Sequence, residues 1–307
     1  MRHFFEHVLK YDTIPNMSNA FGQKTTYNTS DLLYPAVVRY INERMSTLPK
    51  EKADRIIYYQ SYTDDVVKSA NQDYSIPNDY KWIRSEPSYR IKSTLLYAFA
   101  RIISPIYCRC FLHMRLVNRK VLDKCKNTGL CLFANHTQPI GDAMLPVWIN
   151  RGRRIYVIVS PANLGIPGVG KLLPYLGALP ASGKIKDMLS LNRAVFQRLS
   201  EKHCLVVYPE AHVWPYYTRI RPFSSASFIY PVTANVPAYC MTTTYQKSRF
   251  GKKPCATVYI DGPFYPSVNG SRKEQADDLR IQIAECMERR SKQSTCEYIR
   301  YIQGEKQ

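Results

Sequence analysis

GLCLFANHTQPIGD, residues 129–142, carries an apolar run that stops abruptly at Asn135, His136, Thr137 and Gln138, then turns through Pro139 and Gly141 to Asp142. A short apolar run bounded by turn residues reads as a buried strand, and a helix is expected from about Asp142. The same alternation continues through the chain. RIYVIVS (154–160), HCLVVYP (203–209), PAYCMTTTY (237–245) and CATVYIDG (255–262) have strand character, and helix-length segments fall near 186–202 and 271–292. The last opens with Ser271 and Glu274, the spacing of a capping box. Strands alternating with helices predict an α/β layered fold with a mostly parallel central sheet flanked by helices.

Upstream the pattern differs. Residues 31–72 have apolar positions at mixed three- and four-residue spacing, with Asp31 as a candidate N-cap, and residues 73–92 carry Pro77 and Pro87 among polar groups. The expected organisation is an N-terminal helical region over 1–92, an apolar segment over 93–112 and an α/β domain over 113–307. Segment 93–112, STLLYAFARIISPIYCRCFL, is interrupted by Arg101, Pro105 and Arg109. It falls short of the 18 or so clean apolar residues of a membrane span. It reads either as a buried core helix or as a helix lying in a lipid headgroup interface. MRHFFEHVLKYD at the start lacks the apolar run of a signal peptide.

Lys and Arg number 43 against 24 Asp and Glu, a formal charge of +19, which implies an anionic partner: phosphate-bearing lipid, nucleic acid or an acidic carrier protein. Nine cysteines are scattered without a CxxC pair, so neither a disulfide framework nor a zinc site is expected. They read as small hydrophobes in a reducing setting.

Two polar clusters follow strands, where α/β folds gather functional groups. In the first, Asn135 through Asp142, a His within reach of a carboxylate can act as a general base, the carboxylate fixing the imidazole tautomer. In the second, YPEAH (208–212), Glu210 leaves a strand end, where it can bind hydroxyls or orient a cation. Their order and separation resemble the glycerolipid acyltransferase family, the group of the 1-acylglycerol-3-phosphate acyltransferases. Its first motif is NHxxxxD and its third FPEGTRS. Tyr230–Val232 and Val236–Pro237 fall where its fourth, proline-containing element belongs, and CATVYIDGPF is similar to its late strand. The resemblance covers about residues 110–290.

The sequence departs from the family at stated places. Five residues, rather than four, separate His136 from Asp142, and Pro139 and Gly141 exclude a continuous helix between them. A tight turn, with Gly141 at positive φ, is expected to restore the contact. The second motif is GALPASG (177–183) without its Arg, Lys184 and Lys186 being the nearest cations. Ala211, His212 and Val213 stand in place of Gly, Thr and Arg, and Arg219 and Arg221 are the candidate replacements for phosphate recognition.

The resemblance implies an O-acyltransferase with His136 and Asp142 as catalytic residues and Asn135, Glu210, Arg219 and Arg221 as substrate-binding residues. The donor would be acyl-CoA or acyl carrier protein, a co-substrate rather than a cofactor, and the acceptor a lysophospholipid-type hydroxyl. The enzyme would sit peripherally on the cytoplasmic side of an anionic membrane. Three other readings stand beside it: a hydrolase using the same two residues on water, a lipid-binding relative without catalysis, and a basic nucleic-acid-binding protein. The last has charge and 24 tyrosines in its favour but no helix-turn-helix, zinc-finger or RNA-recognition signature, so no nucleic acid is expected.

Overall fold

The computed structural model describes residues 55–67, 71–150, 152–248 and 253–304. Its strands are β1 (Ile56–Tyr59), β2 (Met114–Val117), β3 (Leu130–Ala134), β4 (Ile155–Val159), β5 (Ala178–Pro180), β6 (Cys204–Val207), β7 (Ala238–Gln246), β8 (Cys255–Phe264) and β9 (Arg300–Gln303). Its α-helices are α1 (Pro87–Ile106), α2 (Gly141–Ile149), α3 (Ile185–Ser200), α4 (Ile229–Ala234) and α5 (Arg272–Ser291). A seven-stranded sheet runs in the order β2-β8-β7-β3-β6-β4-β5. All neighbours are parallel except β7 and β8. The mostly parallel sheet flanked by helices is therefore present.

β3 shows why the sheet lies inside. Its five residues are all buried, and they alternate between two cores. Leu130, Leu132 and Ala134 pack with Tyr97 of α1 and with Leu145 and Ile149 of α2. Cys131 and Phe133 face the other way, toward Leu191 and Val195 of α3 and Leu279 and Ile283 of α5. The result is three layers. α5 starts at the expected capping box, Ser271 and Glu274 each bonding the other's backbone N–H. Cys108, Cys131, Cys204, Cys240 and Cys286 are buried, and every cysteine among the described residues is free.

Part of the expected N-terminal helix is a strand. Ile56–Tyr59, inside the segment 31–72, pairs in parallel with β9 near the C-terminus. β-branched and aromatic residues favour that choice over a helix. Tyr59 then packs on Trp214, whose indole stacks on Tyr301 at 4.9 Å. Residues 55–67 are thus built into the α/β body. Residues 31–54 and 68–70 of that helical expectation lie outside the described residues.

Segment 93–112 has one face packed on the core and one apolar face exposed. α1 buries Ser93, Tyr97 and Ser104, while Ile91, Leu95, Phe99, Ile102 and Ile106 are exposed at intervals of four, four, three and four residues. That spacing is one helical face. Arg90, Lys92, Arg101 and Arg109, all exposed, flank it. No helix among the described residues is long and apolar enough to cross a membrane.

Candidate active site

Because β3, β6, β4 and β5 run in parallel, the loops after them emerge at one end of the sheet. His136 follows β3, Glu210 follows β6, and Lys184 and Lys186 follow β5 there. The structure closes the longer His–Asp gap. Oδ2 of Asp142 lies 2.7 Å from Nδ1 of His136. The same oxygen accepts the backbone N–H of Gln138 at 2.9 Å, so Asp142 caps its own turn while holding the ring. Both readings of this aspartate, helix terminus and imidazole partner, are met by one atom.

Gly141 works differently from the expectation. It is the first residue of α2 and is not among the glycines at positive φ. What it contributes is space: a Cβ there would come within 2.9 Å of Leu112 Cδ1 and Met114 Cε.

The His136 side chain is 22% exposed and that of Asp142 only 3%. A carboxylate only accepts hydrogen bonds, so Nδ1 carries a proton, and in the neutral ring Nε2 then presents its lone pair. The ring is stacked on Tyr208 with centroids 4.4 Å apart, and the Tyr208 hydroxyl donates to the Asp142 carbonyl at 2.5 Å. Burial pushes the Tyr208 hydroxyl well above the ordinary tyrosine range, which keeps it a neutral donor. Nothing in the sequence marks Tyr208 as a partner of His136. Its only signal there is an aromatic residue before Pro-Glu, where its ring contact is invisible.

Two of the expected substrate-binding residues are turned inward, and a third is enclosed with them. Asn135 is buried, donates its amide to the Thr243 carbonyl at 3.0 Å and accepts the Thr243 N–H at 2.8 Å. It extends the β3–β7 ladder by a side chain and so positions the loop. Both Glu210 oxygens are likewise occupied: Oε1 accepts the Arg221 N–H at 3.0 Å, and Oε2 accepts the His136 N–H at 3.1 Å and the Arg221 guanidinium at 3.1 Å. Arg221, expected at the acceptor phosphate, is enclosed. Its side chain is 0% exposed, donates also to the carbonyls of Tyr62 and His212, and lies over the Trp214 ring. A guanidinium so enclosed braces Glu210 and presents no free edge to solvent. Arg219, two residues earlier, is exposed on the same loop.

Further backbone bonds tie the two clusters together. Trp214 N–H donates to the His136 carbonyl and Tyr216 N–H to the Thr137 carbonyl, both at 2.9 Å. Beneath them, the Tyr245 hydroxyl meets Thr137 Oγ1 at 2.7 Å and Gln138 Nε2 at 3.0 Å. Between the clusters' ends, Ala211 sits at φ 64°. A left-handed backbone costs an L-residue about 1–2 kcal/mol, and glycine gives part of that back through unfolded-state entropy. Ala211→Gly is therefore expected to raise stability by about 0.5–1 kcal/mol, measured by urea unfolding; a loss would mean that the Ala211 methyl makes a contact worth more than the strain.

Cys240, Asp261 and Cys286 place possible metal-ligating atoms within 4.8 Å of one another. Arg290 already holds both Asp261 oxygens, at 2.8 and 2.5 Å, so this group is an ion-paired packing contact between β7, β8 and α5.

No protein-family model matches the sequence, and no curated protein matches it. Among solved structures, the chain is similar to the 1-acyl-sn-glycerophosphate (LPA) acyltransferase PlsC from Thermotoga maritima. The two are 14% identical, with a TM-score of 0.50, over 70% of this chain and 86% of that one. At that identity the likeness is one of fold: this chain has the layered α/β architecture of a 1-acyl-sn-glycerophosphate acyltransferase.

Proposed function

We propose that this protein is an O-acyltransferase that moves a fatty acyl group from a CoA or acyl-carrier-protein thioester to a hydroxyl of a lysophospholipid-type acceptor. The observation that carries the reading is the 2.7 Å contact between His136 and Asp142 at the strand ends of this fold. Nε2 of His136 takes the proton of the acceptor hydroxyl as its oxygen attacks the thioester carbonyl. The new C–O bond forms, the C–S bond breaks, and the departing thiolate takes the proton back from the imidazolium held by Asp142. The acceptor itself is the nucleophile, so no serine or cysteine nucleophile is needed. Arg219, Lys184 and Lys186, exposed at this end, are the cations available to an acceptor phosphate or a thioester oxyanion.

The test is incubation of pure protein with an acyl thioester and a panel of lysolipids. Thiol release matched by acylated lipid supports the reading, whereas thiol release matched by free fatty acid assigns a hydrolase. In the same assay, Arg219→Ala is expected to raise KM for a phosphorylated acceptor about tenfold with little change in KM for the donor, the loss of one charge-assisted contact. Equal losses for both substrates would remove Arg219 from the acceptor site.

A lipid acceptor requires a route to a membrane, and the exposed face of α1 supplies one. Tyr97 of this helix accepts the Ile155 N–H at the start of β4, and Leu112, beyond its end, lies against Gly141 beside the dyad. The apolar stripe thus runs toward the end of the sheet that holds His136. With its cationic flanks it suits peripheral docking on the anionic, cytoplasmic side of a membrane, each basic residue contributing about 1 kcal/mol near such a surface. Binding to phosphatidylglycerol-containing vesicles is expected to be released by salt and weakened at least tenfold by Leu95→Glu with Phe99→Glu. Equal binding to neutral vesicles would refute the electrostatic part, and unchanged binding of the double variant would refute the stripe.

A further inference from the structure

A cavity of about 470 Å³ lies at the other end of the sheet from His136. β3, β4 and β6 are parallel, and Arg154 and His203, which line this cavity, come just before β4 and β6, whereas His136 comes just after β3. Residues 80–85, the start of α1, the last turn of α3 and edge strand β5 form most of its other walls.

The charge on those walls is one-sided. Lys81, Arg84, Arg90, Arg154 and Arg198 face a single carboxylate, Glu201, and Glu201 is already held by Arg198 at 2.7 Å. Three of the guanidiniums are stacked on rings: Arg84 at 5.1 Å from Tyr80, Arg154 at 4.7 Å from Tyr97 and Arg198 at 4.9 Å from Tyr156. The aromatic parts are themselves fixed, Trp82 donating to the Pro180 carbonyl at 3.0 Å and Tyr89 to the Pro174 carbonyl at 2.7 Å. Nε of Arg154 and Nε of Arg198 are buried without hydrogen-bond partners. Burial holds His203 below the ordinary histidine range, and Arg198 and Arg154 push it the same way against Glu201. Cations on an ordinary solvated face point apart. Here three of them are stacked in place around one concavity, and the protein sets only two carboxylates against the five: Glu201 on Arg198 at 2.7 Å and Glu86, outside the lining, on Lys81 at 3.2 Å.

We propose that this cavity is a second ligand site, distinct from the His136 site, that takes a phosphate ester by its phosphate group. A dianion with several acceptor oxygens matches guanidiniums arriving from different elements, and the volume falls in the range of small-molecule sites. The aromatic walls accommodate the organic part of the ester. The ester is either soluble or a lipid headgroup. For a headgroup the geometry is apt: Arg90 and Thr94 line the cavity, and the exposed Ile91 and Leu95 beside them begin the apolar stripe of α1.

Trp82 lines the cavity and reports on it. Its fluorescence in the full chain is followed during titration with glycerol 3-phosphate, and separately with phosphatidylcholine vesicles with and without phosphatidic acid. A saturable change that disappears in Trp82→Phe is expected in at least one arm. Its midpoint should move at least tenfold in Arg84→Gln with Arg198→Gln, and likewise in Lys81→Gln with Arg90→Gln. Lys81 and Arg90 are exposed, so the second pair of changes spares the fold even where loss of the Arg198–Glu201 contact does not. A response to glycerol 3-phosphate identifies a soluble ligand, and a response to phosphatidic acid vesicles alone identifies a headgroup. No Trp82-dependent response in either arm, or a midpoint unmoved by both variants, overturns the proposal. None of these readouts depends on acyl transfer.

Discussion

His136→Ala is expected to lower kcat for acyl transfer by about 10²–10⁴-fold, the usual contribution of a positioned general base. The fold should survive, and the reason lies in which atoms of His136 do structural work. Its N–H, held by Glu210, and its carbonyl, held by Trp214, belong to the backbone and remain in the alanine variant. What is lost is the ring: one bond to Asp142 and the stack on Tyr208. The Asp142 carboxylate keeps the Gln138 N–H, so the expected cost is about 1–2 kcal/mol of stability. Asp142→Asn makes a sharper companion. The amide can still accept from Gln138, but its charge no longer stabilises the imidazolium and its NH₂ can hold the wrong tautomer. A fall in kcat of at least about a hundredfold with KM little changed is expected. Near wild-type turnover by a folded His136→Ala protein would end the general-base assignment.

The sequence was most informative where local pattern and fold agree. Apolar runs such as GLCLFA and CLVV fix buried strands because a central parallel strand is covered on both faces; β3, β4 and β6 fall within their expected segments, and β7 and β8 start within theirs and run one and two residues past the end. The turn that returns Asp142 to His136 was legible too, since Pro139 and the aspartate both belong at a helix start. Short edge strands were not. β2 has four residues and β5 three, too few for a periodicity, and β5 occupies part of the GALPASG stretch. β1 escaped for a different reason: its partner is β9, almost 250 residues away in sequence, and nothing local to Ile56–Tyr59 declares that pairing. The functional residues divide along the same line. Exposure and the hydrogen bonds of Asn135 to Thr243, or of Arg221 to Tyr62, are set by chain segments more than a hundred residues distant. Residue type alone marks Asn135 and Arg221 as polar and available, while tertiary contact uses them up. α1 makes the converse point. Its apolar stripe suits a core, yet the fold leaves that stripe outside.

The largest loss of stability is expected from Glu210→Ala. The Glu210 side chain is 1% exposed and its oxygens receive two backbone N–H groups and one guanidinium. Removing it leaves the Arg221 charge buried beside carbonyls alone and orphans the His136 N–H. Breaking a buried pair from one side costs about 3–5 kcal/mol, much of it the penalty of the charge left behind. Arg221→Ala is expected to cost a similar amount. The double change Glu210→Gln with Arg221→Met should lose less than the sum, because no charge is stranded and the glutamine oxygen still accepts an N–H. Urea unfolding of the two singles and the double measures that coupling. Kinetics then separates a strut from a substrate contact. A displaced His136 backbone should lower kcat in Arg221→Ala for every acceptor, with or without phosphate, in contrast to the KM effect expected of Arg219→Ala. If Arg221→Ala instead unfolds within 1 kcal/mol of wild type and raises KM only for phosphorylated acceptors, on the order of tenfold, then Arg221 reaches substrate despite its burial and the strut assignment fails.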